Sequence, residues 1–164
     1  MSINVKLDVS GIKDLEAKLK SAGKVRIGIL GANKNRKDGD GSLSNAEIGR
    51  IHEFGSIARK IPARSFLRVP LRKNTDELLG VFGNSSLVGQ ALSEGNSILA
   101  LELLGVKAEG IVLGAFRSNG YGQWPKLKPK TSEDKGSNKA LIDTGQLRRS
   151  ITSEVVANGT QDNG

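Results

Sequence analysis

Apolar and polar residues alternate with a period of two at the start of the chain, where Ile3, Val5, Leu7 and Val9 are separated by Asn4, Lys6 and Asp8. Successive side chains of an extended backbone point to opposite faces, so this spacing predicts a strand with one wet and one buried side. Ser10 follows as a helix cap. Ile12, Leu15 and Leu19 then recur at helical spacing opposite Lys13, Glu16, Lys18 and Lys20, which predicts a helix closed by Gly23. Alternation resumes at Val25, Ile27 and Ile29, giving a β-α-β opening with a helix laid over a sheet.

Residues 31–44 carry almost nothing to bury and many turn formers, and they read as a long, exposed, flexible loop. Ser44 and Glu47 have the spacing of a capping box, with Ile48, Ile51 and Phe54 as the apolar edge of a short helix ending at Gly55. Pro62 disfavours helix at Ile61, so Ile61 to Arg64 is predicted extended, delivering Phe66 and Leu67 to the core. Between Arg68 and Asn119 the pattern is mainly helical, with Leu71, Leu78 and Phe82 on one stripe and Leu101, Leu104, Ala108, Ile111 and Ala115 on another. Gly83 and Gly95 mark breaks, while Gly105, Gly110 and Gly114 either weaken the second helix or permit close approach of a neighbour.

A second long connection, polar and basic, runs over residues 118–140 around Tyr121-Gly-Gln-Trp-Pro125. Asp143 followed by Gln146 has cap spacing for one helical turn through Leu147 to Arg149. Ile151, Ser153 and Val155 then alternate with Thr152, Glu154 and Val156 as a closing strand. Asn158-Gly159 is a hairpin signal with little chain left for a return strand, so residues 157–164 are either frayed or paired with another subunit. The expectation is a single α+β domain over residues 1–164, a small mainly antiparallel sheet against a few helices, with two long flexible loops.

Composition narrows the function classes. The 21 glycines and only 4% aromatic residues imply a thin core completed by partner contacts. Without cysteine there is no disulfide, thiolate metal site or cysteine nucleophile, and the redox compartment stays open with a lean to the cytosol. The N-terminal residues lack an apolar signal core, and the most apolar stretch, Ser97 to Phe116, is interrupted by Glu102, Lys107 and Glu109, so neither export nor a membrane span is expected. A formal net charge of +8 favours nucleic acid or an acidic protein surface. Its bases concentrate at Lys34/Arg36/Lys37, at Arg59/Lys60/Arg64/Arg68/Arg72/Lys73 and at Lys126/Lys128/Lys130/Lys135/Lys139, without the aromatic interleaving of a base-stacking platform. They are either a solvated face or a contact surface.

Familiar catalytic and metal motifs are missing. His52 is the only histidine, and the position for a second imidazole one turn on is Ser56, so the His52-Glu53 pair makes no zinc helix. Asp38-Gly-Asp-Gly fails as a calcium loop, because Leu43 takes the interior glycine position and Gly49 the bidentate acid position. Gly28-Ile-Leu-Gly31 is no dinucleotide fingerprint, and neither a phosphate-cradling loop nor a serine elbow occurs. No catalytic, cofactor-binding or metal residue is assigned.

Four blocks stand out instead: Ala46-Glu-Ile-Gly-Arg-Ile-His-Glu-Phe-Gly55, Ile61-Pro-Ala-Arg-Ser-Phe-Leu-Arg68, Gln123-Trp-Pro-Lys-Leu-Lys-Pro-Lys-Thr131 with Lys135, and Leu141-Ile-Asp-Thr-Gly-Gln-Leu-Arg-Arg-Ser-Ile151. In this order they resemble the tail-completion and virion-morphogenesis (neck) proteins of tailed bacteriophages, over roughly Ala46 to Ile151. The resemblance implies a small α+β subunit without catalysis or cofactor. It further implies a homo-oligomeric ring, six-fold by expectation, at the head-tail junction of a virion assembled in the bacterial cytoplasm. Such a ring would contact other connector and tail-terminator proteins and let genome DNA pass through its lumen without sequence recognition. Interface candidates are Arg64, Phe66, Leu67, Arg68, Tyr121, Trp124, Arg148 and Arg149; Phe66 and Leu67 read equally as plain core, and Trp124 as a lid on its own core. The competing class is a basic nucleic-acid-binding module of a mobile element.

Overall fold

The structure, a computed structural model, describes residues 10–31, 43–83, 85–136, 138–142 and 144–158. The predicted strand at residues 3–9, most of the loop at 31–44, Asp143 and Gly159 lie outside the described residues, as do the side chains of Ile12 and Leu15. Helix α1 runs Ser10–Ala22, starting at the residue expected to cap it, and strand β1 runs Lys24–Ile29, where the alternation placed it. Helix α2 spans Asn45–Phe54, α3 Arg68–Lys73, α4 Thr75–Leu79, α5 Leu87–Ser93, α6 Ser97–Arg117, α7 Pro129–Lys135 and α8 Gln146–Arg149; strand β2, Ile151–Val156, closes the fold. The two strands form an antiparallel ribbon in the register Lys24↔Val156 to Ile29↔Ile151, so the architecture is α+β.

The 21-residue helix α6 is the spine, packing against both strands and against α1, α3, α4 and α5. Leu101, Ala108, Ile111 and Ala115 of its expected stripe are buried. Its glycines resolve the open alternative in both directions. A Cβ on Gly105 would sit 2.6 Å from Ser153 Oγ, and one on Gly114 would sit 2.8 Å from the Tyr121 hydroxyl, so both permit close approach. Gly110 faces open space and is merely tolerated. One turn beyond Gly105, Glu109 accepts hydrogen bonds from Ser153 N (2.5 Å) and Ser153 Oγ (2.7 Å), fastening the helix to β2 where their backbones come close.

The main core gathers Phe66, Val112, Phe116, Ala140, Leu141, Leu147 and Ile151. Phe116 is fully buried, with the Phe66 ring 5.0 Å away and the Trp124 ring edge-on at 5.9 Å. A smaller core of Val88, Ala91 and Ala100, ringed by Val81, Phe82, Leu92 and Leu103, joins α5 to the start of α6. Between these two cores the expected single stripe of Leu71, Leu78 and Phe82 is cut at Asn74, whose backbone N–H and side-chain amide both donate to Pro70 O (3.1 and 2.8 Å). Leu71 consequently serves the main core and Phe82 the smaller one.

The capping box is formed at α2. Glu47 N donates to Ser44 Oγ at 3.2 Å, while Ser44 N and Ser44 Oγ both donate to the Glu47 carboxylate at 2.8 Å. These donors hold the Glu47 carboxyl below its ordinary value of 4.5. A carboxyl with a depressed folded-state pKa contributes stability that is present above the unfolded-state pKa and lost as pH falls through the folded-state one. The α2 cap is therefore expected to weaken only below pH 4.5. An NMR titration checks this: the Glu47 carboxyl should titrate below 4.5 in the native chain and move up by the smaller part of its shift in Ser44→Ala, which removes the hydroxyl donor and keeps the backbone one. The same substitution should cost about 1 kcal/mol in denaturant unfolding.

The connection at 118–140 carries more structure than its polarity suggests. Trp124 N donates to Asn119 O (3.1 Å), Ala140 N to Asn119 Oδ1 (3.0 Å) and Lys139 Nζ to Arg117 O (2.8 Å), so the segment leaves α6 and is tied back to its end. Between those ties sits α7, with Pro129 at its first turn and Gly136 in the left-handed region (φ +58°) at its end. That proline and glycine are the asymmetric start and stop signals of a helix. Without an apolar face between them, periodicity does not reveal it.

Candidate functional site: a cationic cleft

The four sequence blocks, scattered over a hundred positions, converge on one open cleft of about 530 Å³. Ile48 and His52 of α2 form one wall, the Ile61–Arg64 strap another, and Lys126, Leu127, Lys128 and Thr131 a third. Leu141 and the run Thr144–Leu147 close it, and the only lining residues outside the blocks are Arg59 and Lys60.

Hydrogen bonds explain why such distant segments meet. Glu53, on the inward face of α2 with Asn45 and Gly49, is buried. Its carboxylate accepts from Ser65 Oγ (2.5 Å), Phe66 N (2.9 Å), Leu67 N (3.0 Å) and Arg68 N (3.1 Å). Those amides open helix α3 and would otherwise lack partners. Arg64 N donates to His52 O (2.7 Å), which holds the strap against α2 a second time. The Arg64 side chain, 6% exposed, donates through Nε to Pro125 O (3.0 Å) and through Nη2 to Lys126 O (3.2 Å). Burial pulls the pKa of this guanidinium below its usual value, but it stays charged at any physiological pH. Trp124 Nε1 completes the lacing by donating to Ser65 O (3.0 Å).

The sequence-predicted candidates therefore divide. Arg64 and Phe66 are scaffold, one a buried clamp and the other core, and Leu67 packs partly buried against that core. Trp124 turns inward onto Phe116 and Ser65, partly buried against its own core. Tyr121, with φ +55°, donates its hydroxyl to Ile111 O (2.9 Å) and keeps its ring half exposed. Arg68, Tyr121 and Trp124 line a separate groove on the far side of the strap, together with Lys73 and Gln123. Arg148 and Arg149 lie on α8 beyond the cleft lining, with Arg149 exposed. At the start of α8 the cap position is Gly145, in the left-handed region, and Gln146 N donates to Thr144 Oγ1 (3.4 Å).

Phe54 departs from expectation. It is 62% exposed, and the Arg68 guanidinium lies 5.5 Å from its ring centroid. A pattern that treats every Glu as wet assigns Phe54 to the buried edge, whereas the amides of α3 require the Glu53 carboxylate there. Beside Phe54, Gly55 (φ +78°) ends α2 where a Cβ would stand 2.8 Å from Ala63 N. The chain then makes a tight turn bridged by Ser56 N to Ile61 O (2.8 Å) and Ile61 N to Ser56 O (2.9 Å), with Ile57 at its tip 98% exposed. Ile57 went unnoticed in the pattern because an isolated apolar residue among turn formers carries no period.

The charged residues among the described lining of the cleft are all basic. Arg59, Lys60, Lys126 and Lys128 form an exposed cationic rim above a floor containing Ile48, Ile61, Leu127, Leu141 and Leu147, and no described lining residue is acidic. No ion pair among the described residues engages the four rim side chains. The basic concentrations seen in the sequence at 59–64 and 126–128 thus face one another across a shared opening. Among the described residues, no three His, Asp or Glu side chains gather to hold a metal, and no helix is long and apolar enough to cross a membrane. No protein-family model, curated protein or solved structure matches this chain.

Proposed function

We propose that this chain is a non-enzymatic virion structural protein of a tailed bacteriophage. It acts as a tail-completion or neck subunit that assembles as a ring at the head-tail junction and helps join the tail to the DNA-filled head. The observation that carries this reading is the convergence of the four resembling blocks on one laced cleft, where buried polar groups are used for scaffolding and the exposed cations are left for a partner. Interfaces use such partly apolar, charge-rimmed surfaces, and the fully exposed Ile57 beside the rim adds an apolar contact point.

The deciding experiment is electron microscopy of particles made when the gene is deleted from its phage, with the protein restored in parallel. Filled heads lying apart from tails, joined again on restoration, are the expected result. Infectious virions of normal form without the protein would overturn it. The cationic rim also favours a second reading, a nucleic-acid-binding module. That reading predicts tight DNA binding by the isolated chain with a steep loss as salt rises, in proportion to the phosphates neutralised; the neck reading predicts weak binding, and a band shift across salt concentrations separates the two.

A further inference from the structure

We infer that the cleft receives an acidic segment of another protein, an extended peptide that sets carboxylates against Arg59, Lys60, Lys126 and Lys128 and drops an aliphatic side chain onto the floor. The inference deepens the assembly reading by giving the chemistry of the partner, and it is tested in solution, independently of the particle experiment.

Three features select this ligand over others of the same charge. The floor is aliphatic, lined by the partly buried Ile48, Ile61 and Leu127 over the core residues Leu141 and Leu147, and burial of a leucine-sized group there would add affinity that a phosphate backbone has no means to collect. No described Phe, Tyr or Trp lines the cleft, and its one aromatic ring, the half-buried imidazole of His52 on the α2 wall, is a small platform for an unstacked base. A volume of about 530 Å³ accommodates a few side chains of an extended chain and not a duplex or a folded domain.

The chain's own acidic helix is the nearest alternative occupant, supplied by a neighbouring copy. Helix α4 presents Asp76 and Glu77 beside Leu79, which is 61% exposed. The Glu77 carboxylate is, however, already matched by Lys107 Nζ at 2.5 Å within the same chain. A partner with unmatched carboxylates complements the rim better.

The test is fluorescence anisotropy on the full chain at physiological salt with three labelled probes. One is a short peptide in which two leucines are flanked by glutamates; the second is an all-glutamate peptide of the same length; the third is a single-stranded oligodeoxynucleotide of matched charge. The leucine-bearing peptide should bind about tenfold more tightly than either of the others, the factor expected from burying an aliphatic anchor. The double substitution Lys126→Glu with Lys128→Glu should weaken it by about tenfold or more, since each reversal removes an attraction and adds a repulsion. Lys13→Glu with Lys18→Glu, an equal charge change at exposed positions of α1, should leave it unaltered.

Both rim lysines are exposed, and circular dichroism reports whether the double variant keeps its helices; Arg59→Glu repeats the measurement on a different wall should it not. Equal binding of the all-glutamate peptide or the oligonucleotide would overturn the inference in favour of charge alone. So would failure of the leucine-bearing peptide to bind. Self-association in sedimentation velocity that the rim substitutions abolish would assign the cleft to a second copy and overturn it as well.

Discussion

Replacing Glu53 with alanine is expected to lower the stability of the chain by about 3–5 kcal/mol, the range for breaking a buried charged hydrogen-bond centre by removing one side of it. The carboxylate serves three consecutive backbone amides, Phe66, Leu67 and Arg68, and the Ser65 hydroxyl. Alanine would leave those amides without their acceptor, Phe66 N in the interior and Leu67 N and Arg68 N part-buried, and each buried orphan costs about 1–3 kcal/mol. For a chain of this length, about 2–4 °C of melting temperature accompanies each kcal/mol, so a thermal melt followed by circular dichroism should fall by roughly 10 °C. Glu53→Gln keeps one acceptor oxygen and turns an amide nitrogen toward the other donors, so it should lose about half as much. A melt of Glu53→Ala within a degree or two of the native chain would sink the claim that this carboxylate holds the strap.

The same residue shows where sequence pattern stops being informative. The elements set by local rules are all legible: the alternation of β1 and β2, the capping box of α2 and the glycine that ends it. These signals depend on neighbours a few positions away. Glu53 is different, because its partners lie 12 to 15 residues further on and its burial is justified only by amides that the strap brings to it. Helix α7 was obscured for another reason: it is polar throughout, so only its terminal proline and glycine announce it. The break at Asn74 follows from a side chain competing for the backbone carbonyl of Pro70, a contest that hydrophobic spacing does not register.

The candidate site was legible in its parts and hidden in its assembly. Both basic concentrations that make the rim stand out along the chain, as do the four blocks that line the cleft. Their convergence depends on pairings across more than fifty residues, such as Arg64 with Pro125 and Trp124 with Ser65, that composition cannot encode. The candidate residues also differ in how much of their contact capacity the fold itself uses. Large or charged residues chosen as interface candidates, Arg64 and Trp124, are turned inward, whereas plain lysines at 126 and 128 remain outside. A residue's capacity for contact with a partner is consumed when the fold uses its hydrogen bonds first.

Arg64 joins these two levels, and its replacement is the second large effect expected. Arg64→Met preserves the bulk of the stem and removes the fork that holds Pro125 O and Lys126 O. Hydrogen bonds from a charged donor are worth about 1.5–3 kcal/mol each, offset in part by relief from burying a cation without a carboxylate, so a net loss of about 2–4 kcal/mol is expected in denaturant unfolding. Arg64→Lys presents a single point of charge able to reach one carbonyl at a time and should recover about half of that. Global loss of stability alone would not distinguish a clamp from a space filler. Amide exchange does: in Arg64→Met, exchange at Leu127 and Lys128 should accelerate well beyond the global change, while the fully buried Val112 and Phe116 in the C-terminal half of α6 follow the global change only. Because Lys126 and Lys128 ride on the segment that Arg64 clamps, the same variant should bind the leucine-bearing acidic peptide more weakly under conditions where it is fully folded. Uniform acceleration of exchange with unchanged peptide affinity would mean that the segment at 125–128 is held by Trp124 and the core, and that the guanidinium has no part in shaping the cleft.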